Sequence, residues 1–369
     1  MFRPHTLHLL QQHAARLRDQ RAVAGFDGFV DLIVTPVGLR RGPGEDFDPI
    51  RTLAEFGARV SAAAGQSTNI ELYPRREKLG GNGPIMANAL LAWGLQATYI
   101  GALGRPQPHP VFTELAAKAR TFSLCAPAHT TAIECADGKL MLGTMRSLDE
   151  VTYDRICTAM GEEAFVSELA GAGLVALVNW TMIPGLTALL DAMVARALPR
   201  LPANPSRVFF FDLCDPEKRS LADLRAALAT IGRFARFGRV TLGLNFREAR
   251  HVANALDLAP GGADADGLRG MAGSIRARLG VTTVVIHPAD AAACATAEGS
   301  WWIPGPYTPQ PLLTTGAGDH FNAGFAAAQL LGLDPEAALT CGVCTSGHYV
   351  RTGESPNSAA IETFLANWR

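Results

Sequence analysis

Short apolar runs of strand-forming residues alternate along this chain with longer segments of helical periodicity. The runs are predicted as strands at residues 22–26, 97–102, 174–179, 208–213, 240–244 and 282–287. Helices are predicted at residues 85–93, 183–196, 221–234, 247–255, 268–279 and 319–331. Strands that alternate with helices are typical of βαβ units. The sequence therefore predicts a layered α/β fold around a mostly parallel sheet.

Two segments interrupt this alternation and predict a second, smaller sheet. One is residues 31–37; the other is a hairpin at residues 130–135 and 140–145, whose link contains the turn signal Asp137-Gly138. We expect residues 1–369 to form a single domain, with a lid made by residues about 30–45 and about 125–147. The lid would cover the carboxyl ends of the strands, where open α/β sheets bind ligands. The alternative is an edge extension of the main sheet.

The composition favours a protein with a large core and no charged partner surface. Of 369 residues, 48% are hydrophobic and 18% are charged, and the net charge is −1 without any block of like charges. We therefore expect neither a nucleic-acid nor a membrane partner. No apolar run approaches the roughly 18 residues of a membrane helix, and the N-terminus lacks a signal-peptide layout. The 7 scattered cysteines are typical of reduced thiols, so we expect a cytoplasmic protein.

The segment 314–325 joins a glycine turn, a carboxylate and a predicted helix start. Gly316, Ala317 and Gly318 expose backbone N–H groups at the positive end of that helix, which predicts an anion hole. Asp319 would repel a resting phosphate but suits a base that removes a proton from an attacking hydroxyl. The alternative is a plain turn in which Asp319 complements the helix dipole.

A second glycine cluster precedes the helix predicted at residues 85–93. Gly80 and Gly81 allow a ligand to approach the backbone closely. Asn82 offers both hydrogen-bond donors and acceptors, which suits a hydroxyl-rich small molecule. The stretch 25–31 contributes two carboxylates where the first strand ends, including Asp31. These residues predict a site for a polar small molecule.

Asn245 and Glu248 follow the predicted strand 240–244. Their spacing of three residues allows a helix capping box, which needs no catalysis. In a protein that handles phosphate, the same residues could hold waters around Mg²⁺, which prefers oxygen ligands and keeps several of its waters. Both interpretations stand at this point.

Taken together, these motifs resemble the ribokinase or PfkB family of carbohydrate and nucleoside kinases. Residues 78–91 and 100–104 are similar to its N-terminal signature and residues 314–325 to its C-terminal signature, over nearly the whole chain. The resemblance implies a ribokinase-like three-layer α/β/α sandwich. It also implies in-line transfer from Mg-ATP to a hydroxyl of a sugar or sugar-like molecule. Homodimers formed through the lid sheet are typical of the family.

The resemblance also assigns roles to individual residues. It implies a catalytic base, an anion hole, a substrate site, and a pair that organises Mg²⁺ through water and phosphate. The implied catalytic base is Asp319, and the implied anion hole is formed by Gly316, Ala317 and Gly318. The implied substrate site contains Asp31, Gly80, Gly81 and Asn82. The implied pair that organises Mg²⁺ and phosphate is Asn245 with Glu248.

Three positions depart from the family pattern. Ile85 stands where the family usually has Asn, which leaves the sugar unidentified. The segment after residues 282–287 has His287-Pro-Ala-Asp in place of a glycine-containing nucleotide loop. Leu313 replaces an Asp common in potassium-activated relatives, which argues against a monovalent-cation site. The stretches 25–31 and 80–82 also resemble ADP-dependent sugar kinases, but those chains are typically longer, so ATP is favoured.

Two other classes of function compete with a kinase. One is a non-catalytic sugar- or nucleotide-binding regulator on a kinase fold, since fold does not fix function; the presence of Asp319 argues against it. The other is an NAD-dependent dehydrogenase, but the first strand is followed by Gly25-Phe-Asp-Gly28 and not by Gly-x-Gly-x-x-Gly.

Overall fold

The computed structural model describes residues 2–368. Its strands are β1 Arg21–Phe26, β2 Phe29–Arg40, β3 Phe47–Pro49, β4 Leu72–Gly80, β5 Gln96–Gly101, β6 Arg120–Ser123, β7 Ala128–Cys135, β8 Gly138–Thr144, β9 Leu174–Leu177, β10 Val208–Asp212, β11 Arg239–Leu244, β12 Thr283–Ile286, β13 Ala291–Ala295 and β14 Ser300–Pro304. Its helices are α1 Phe2–His13, α2 Leu53–Ser61, α3 Asn82–Trp93, α4 Thr113–Lys118, α5 Tyr153–Met160, α6 Glu162–Gly171, α7 Leu186–Ala192, α8 Leu221–Arg233, α9 Phe246–Ala255, α10 Ala265–Leu279, α11 Ala317–Leu331, α12 Pro335–Thr352 and α13 Ser358–Asn367.

The large sheet has the strand order β14-β13-β12-β11-β10-β9-β1-β5-β6. Along this order, all neighbouring strands between β12 and β6 pair in parallel. The strand β13 pairs antiparallel with both β12 and β14. Apolar side chains on both faces of this sheet are buried, as expected when helices cover both sides. One core layer packs α5 to α10 against the sheet, and the other packs α1, α3, α4 and α11 to α13. The predicted three-layer α/β/α sandwich is confirmed.

The small sheet is separate from the large one. Its strands run in the order β3-β2-β7-β8, and β4 also pairs with β2. The alternative of an edge extension of the main sheet is therefore wrong. The small sheet extends beyond the predicted segments, because β4 was not predicted. The middle of β4 contains Pro74 and a run of four charged residues. An edge strand exposed to water tolerates such residues, but they break the apolar alternation from which strands are predicted.

The predicted helix at residues 183–196 begins three residues late, at Leu186, and changes to a π-helical turn at Met193–Ala197. Pro184 and Gly185 explain the late start, since Gly185 occupies the N-cap. The helix predicted at residues 319–331 instead begins at Ala317. This earlier start places the glycine turn directly at the helix N-terminus.

Candidate active site

The start of α11 combines the backbone amides of a helix N-terminus, of which that of Ala317 donates to Thr314 O at 3.1 Å, with a buried carboxyl group. Gly316 is its N-cap in the left-handed conformation, with φ +90°. A Cβ on Gly316 would lie 3.1 Å from Cγ2 of Ile85, so both the conformation and the neighbouring side chain require glycine here. The next residues turn their N–H groups toward the helix N-terminus, which suits an anion. Asp319 lies in the first turn and is only 5% exposed.

Asp319 is held by the early asparagine loop. Asn82 Nδ2 donates to Asp319 Oδ1 at 2.9 Å. Burial raises the pKa of Asp319 to about 8; the Asn82 hydrogen bond opposes this shift, and the nearby charges of Asp27 and Glu248 add to it. A carboxyl group with a pKa near neutrality is suited to proton transfer.

Asp27 fixes the start of α3, whereas the sequence analysis counted it only as one of the two carboxylates of residues 25–31. Its carboxylate is fully buried and accepts hydrogen bonds from the backbone N–H groups of Asn82, at 2.9 Å, and Gly83, at 2.8 Å. Asn179 Nδ2 donates to the same carboxylate. Burial raises the pKa of Asp27 to about 6, while these hydrogen bonds counteract the rise. Only its place in the stretch 25–31 could have drawn attention to it.

Asp31 projects from β2 on the small sheet and is 4% exposed. It is paired across the sheet with Lys78 of β4 and Thr130 of β7. Burial raises the pKa of Asp31, and the charge of Lys78 is the largest opposing cause. A Cβ on Gly80 would lie 2.5 Å from the Asp31 carboxylate, so the missing side chain of Gly80 makes room for this group.

Two cavities meet at the N-terminus of α11. One has a volume of about 300 Å³, and its walls include Asp31, Gly81, Asn82, Asn179, Gly316 and Asp319. The other has a volume of about 480 Å³, and its walls include Asn245, His287, Ala317, Gly318, Phe321 and Val350. The helix start thus borders both spaces, with the acid on the smaller one and two of the amide-bearing residues on the larger one. Such an arrangement can join two ligands across one anion-binding turn.

Asn245 and Glu248 form the capping box that their spacing allows. Asn245 Oδ1 accepts from the N–H of Glu248 at 2.9 Å, and Glu248 Oε2 accepts from the N–H of Asn245 at 2.8 Å. The other oxygen of Glu248 accepts from the N–H of Asp215 at 2.9 Å. Glu248 is 4% exposed and lines neither cavity, whereas Asn245 lines the larger one.

Oxygen atoms suited to a hard cation lie near this capping box. Asp212 Oδ1 and Glu217 Oε2 are buried and have no hydrogen-bond partner among the described residues. The pKa of Asp212 is raised well above its ordinary value by burial and by the charges of Glu248 and Asp319. Across residues 2–368 there is no group of three or more His, Cys, Asp or Glu side chains that could hold a metal directly. The oxygen set fits a cation bound through water.

The larger cavity has an apolar wall where the sequence departs from the usual glycine-containing loop. His287 is stacked on Phe321 with ring centroids 4.4 Å apart, and burial lowers the pKa of His287 to about 4. Pro288 and Ala289 continue this wall. A neutral, flat surface of this kind suits an aromatic or heterocyclic group.

None of the helices described between residues 2 and 368 has the length and hydropathy needed to cross a membrane.

The fold is that of ribokinase-type kinases. The ribokinase of Arabidopsis thaliana, solved with ribose and ATP, matches with a TM-score of 0.64 and 15% identity over 94% of this chain and 98% of that one. The ribokinase of Cryptococcus neoformans var. grubii, solved with ADP, matches with a TM-score of 0.62 and 18% identity over 93% and 98% of the two chains. At 15% and 18% identity, these two likenesses show a ribokinase-like fold.

The family follows from sequence comparison. The model of the prokaryotic ketohexokinase family matches residues 4–368. A ketohexokinase of Haloferax volcanii is 28% identical over 355 residues, which cover 96% of this chain and 92% of the relative. The chain belongs to the prokaryotic ketohexokinase family, and the predicted relation to ribokinase and PfkB carbohydrate kinases is confirmed.

Proposed function

We propose that this chain transfers the γ-phosphoryl group of ATP to a hydroxymethyl group of a ketohexose, with Asp319 as the general base. The observation that carries the proposal is the position of Asp319 on the wall of the smaller cavity, hydrogen-bonded to Asn82 and directly after Ala317 and Gly318, which line the larger cavity. A sugar hydroxyl in the smaller cavity would face both the base and the anion hole. The ketohexose is proposed because the matching family and the relative from Haloferax volcanii carry that name.

The smaller cavity suits a monosaccharide. Asp31 and Asn82 offer a carboxylate and an amide for sugar hydroxyls, and Thr130 adds a hydroxyl beside Asp31. Met141, Met145 and Met182 line the same space and would pack against the carbon skeleton. Gly80 and Gly81 keep the backbone close to this site. These contacts hold the sugar; they do not themselves change during the reaction.

Proton removal and charge stabilisation would come from two neighbouring groups. As the sugar oxygen attacks, its proton passes to Asp319, a role typically worth about 10² to 10⁴ in rate. Backbone amides in the turn formed by Gly316, Ala317 and Gly318 donate to the phosphoryl oxygens, where one donor is worth roughly 10² to 10³. Positioning of the two substrates supplies much of the remainder.

Asn245 and Glu248, with the unpartnered oxygen of Asp212, would hold the waters of Mg²⁺ beside the larger cavity. When bound, the ion neutralises phosphate charge. The nucleotide base would lie against the wall formed by His287 and Phe321. ATP is proposed as the donor because the ribokinase of Arabidopsis thaliana, which shares this fold, was solved with ribose and ATP; an ADP-dependent kinase is the alternative within this class.

The small sheet would act as a lid that excludes water from the cleft.

We also propose that the protein is cytoplasmic and that it forms a homodimer through this sheet, as is typical of the kinases it resembles. Leu39 and Leu142 of the small sheet are 58% and 46% exposed and would supply apolar contact area. Sedimentation of the wild type and of Leu142→Lys tests this: a dimer that the substitution dissociates supports it, and a wild-type monomer rejects it.

A turnover screen tests the function. Purified protein with Mg²⁺ and either ATP or ADP is offered ketohexoses, aldohexoses, pentoses, sugar acids and nucleosides, and sugar phosphate is measured. We expect transfer from ATP to a ketohexose, with nuclear magnetic resonance placing the phosphate on a hydroxymethyl carbon. Turnover with ADP alone would reassign the donor. Sugar or nucleotide binding without turnover across the panel would favour the non-catalytic regulator.

A further inference from the structure

Helix α12 holds the segment that leads into the anion-binding turn. Tyr349, in the last turn of this helix, donates its hydroxyl to the backbone oxygen of Thr315 at 2.9 Å. The backbone oxygen of the next residue, Val350, accepts from the N–H of Leu312 at 2.7 Å. The residues immediately before the N-cap Gly316 are therefore fastened to the end of α12.

His320 holds the same turn from within α11. Its side chain is buried; Nδ1 lies 2.7 Å from the backbone oxygen of Gly316, and Nε2 lies 2.8 Å from Ser355 Oγ. Because a carbonyl oxygen can only accept, Nδ1 carries the proton and Nε2 accepts from the Ser355 hydroxyl. Burial lowers the pKa of His320 to about 4, so the ring stays neutral near pH 7 and keeps this arrangement.

The rings of His320 and Tyr349 are stacked on each other, so the two contacts are linked. Their centroids lie 3.6 Å apart and their planes differ by 13°. A Cβ on Gly316 would lie 3.2 Å from Tyr349 Oη, which places the stacked rings directly against the turn. Neither ring lines the smaller or the larger cavity. Both rings would therefore act on a substrate only through the turn.

The two rings fix the direction of backbone N–H groups. A peptide group is planar and trans, so its N–H points away from its carbonyl oxygen. Tyr349 holds the oxygen of the peptide that carries the Gly316 N–H. His320 holds the oxygen of the following peptide, which carries the Ala317 N–H. Two amides of the proposed anion hole are thus oriented from behind.

We infer that Tyr349 and His320 are positioning residues of the proposed transfer, which hold the peptide planes of the anion-binding turn in the orientation that the phosphoryl group in flight requires. This inference rests on the proposed kinase function. Charge on the phosphoryl oxygens develops in the transition state, so a turn that is poorly aligned loses more there than in the complex with ATP. Loss of either contact should therefore lower kcat more than it raises KM.

Tyr349→Phe is the main test, because it keeps the stacked ring and removes only the hydroxyl that Thr315 accepts from. We expect kcat with ATP and the ketohexose to fall about tenfold, with both KM values changed less than about threefold. Tyr153→Phe is the matched control. Tyr153 is also buried, its hydroxyl donates to Glu162 Oε1 at 2.9 Å, and it lines neither cavity. It should show a similar decrease in unfolding temperature but wild-type kcat.

A mimic of the transition state separates positioning from a general structural role. Aluminium fluoride, with MgADP and the ketohexose, provides a planar stand-in for the phosphoryl group. In Tyr349→Phe its affinity should fall by about the same factor as kcat, while calorimetry shows ATP affinity nearly unchanged. An equal fall in both affinities would overturn the inference in favour of a contact that only maintains the fold.

Two substitutions of His320 test the second ring. His320→Asn keeps an amide N–H close to the position of Nδ1 and should retain several-fold more kcat than His320→Leu, which has no donor. If His320→Leu does not fold, Ser355→Ala replaces it, with an expected fall in kcat of about threefold. Equal losses in His320→Asn and the second variant would overturn the role of His320.

Two further results have different meanings. Wild-type kcat and wild-type affinity for aluminium fluoride in Tyr349→Phe would overturn the inference while leaving the kinase proposal intact. Absence of turnover in the wild type, across the sugars and both nucleotides, would instead reject the proposed function itself.

Discussion

Asn82 Nδ2 donates to Asp319 Oδ1 at 2.9 Å, although 237 residues separate the two in the chain. The hydrogen bond joins the first residue of α3 to the first turn of α11 and brings both glycine clusters to one cleft. It also favours the charged form of Asp319, opposing the rise in its pKa that burial causes. In the proposed reaction Asn82 would therefore have two roles, as a contact of the sugar and as a group that lowers the pKa of the base.

Asn82→Ala should shift the pH dependence of catalysis. The base form of Asp319 appears as pH rises through its pKa of about 8, so kcat/KM should climb toward a plateau above that pH. Without the Asn82 hydrogen bond, we expect the rise of kcat/KM with pH to shift to higher pH by about one unit. The value of kcat/KM at pH 7 should then fall about tenfold. Asn88→Ala, on the same helix, is the control. An unshifted profile in Asn82→Ala would contradict the tuning role.

Gly80→Ala should weaken sugar binding selectively. The added Cβ would lie 2.5 Å from the Asp31 carboxylate, so that carboxylate must move. We expect the sugar KM to rise tenfold or more, by roughly 1.4 kcal/mol or more of lost binding, while the ATP KM stays nearly constant. Gly57→Ala is the control, because a Cβ there meets nothing within 4 Å. Equal rises in both KM values would remove Asp31 from the sugar site.

Asp27→Ala should lower stability strongly. The substitution leaves two backbone N–H groups and the Asn179 amide without their acceptor in a buried site. The free energy of unfolding should fall by about 3 kcal/mol or more. Asp264→Ala provides the comparison, since it removes an acid that caps the start of α10 in an exposed setting, worth about 1 kcal/mol. Denaturant titration of both variants measures the difference, and equal losses would deny Asp27 its organising role.

Asp319→Asn should stabilise the protein increasingly as pH rises. The folded pKa of about 8 lies above the ordinary 3.8, so between these values the folded protein holds a proton that the unfolded chain has released. The contribution of Asp319 to the free energy of unfolding therefore falls from about pH 4 to pH 8 and then levels off. The increase in the free energy of unfolding caused by Asp319→Asn should be on the order of a few kcal/mol at pH 8 and close to zero at pH 4. A pH-independent difference would show that burial does not raise this pKa.

The sequence predicted the layers and the two glycine clusters because both leave local signals. Strand and helix periods reveal the α/β body, and Gly316, which needs a left-handed backbone, marks the turn before α11. The strand β4 escaped prediction because its charged edge carries no apolar alternation. The structural role of Asp27 escaped prediction because it depends on donors on α3 and at Asn179, which are distant in sequence.

The capping box shows a different limit of sequence reasoning. The spacing of Asn245 and Glu248 predicted equally a structural cap and a group that organises Mg²⁺, and the structure contains the cap. Both oxygens of Glu248 accept backbone N–H groups, so this residue has a structural task whatever else it does. A spacing alone cannot separate the two roles, because the same local geometry serves both.

In the proposed reaction Asp319 removes the proton from the sugar hydroxyl, and a rapid-mixing single-turnover experiment with Asp319→Asn measures that step alone. Asn retains the shape of the side chain and an oxygen for Asn82 but cannot accept the proton. We expect phosphoryl transfer at pH 8 to fall by about 10² to 10⁴, while ATP affinity, measured by calorimetry, changes little. Transfer at the wild-type rate, with nucleotide affinity preserved, would contradict it.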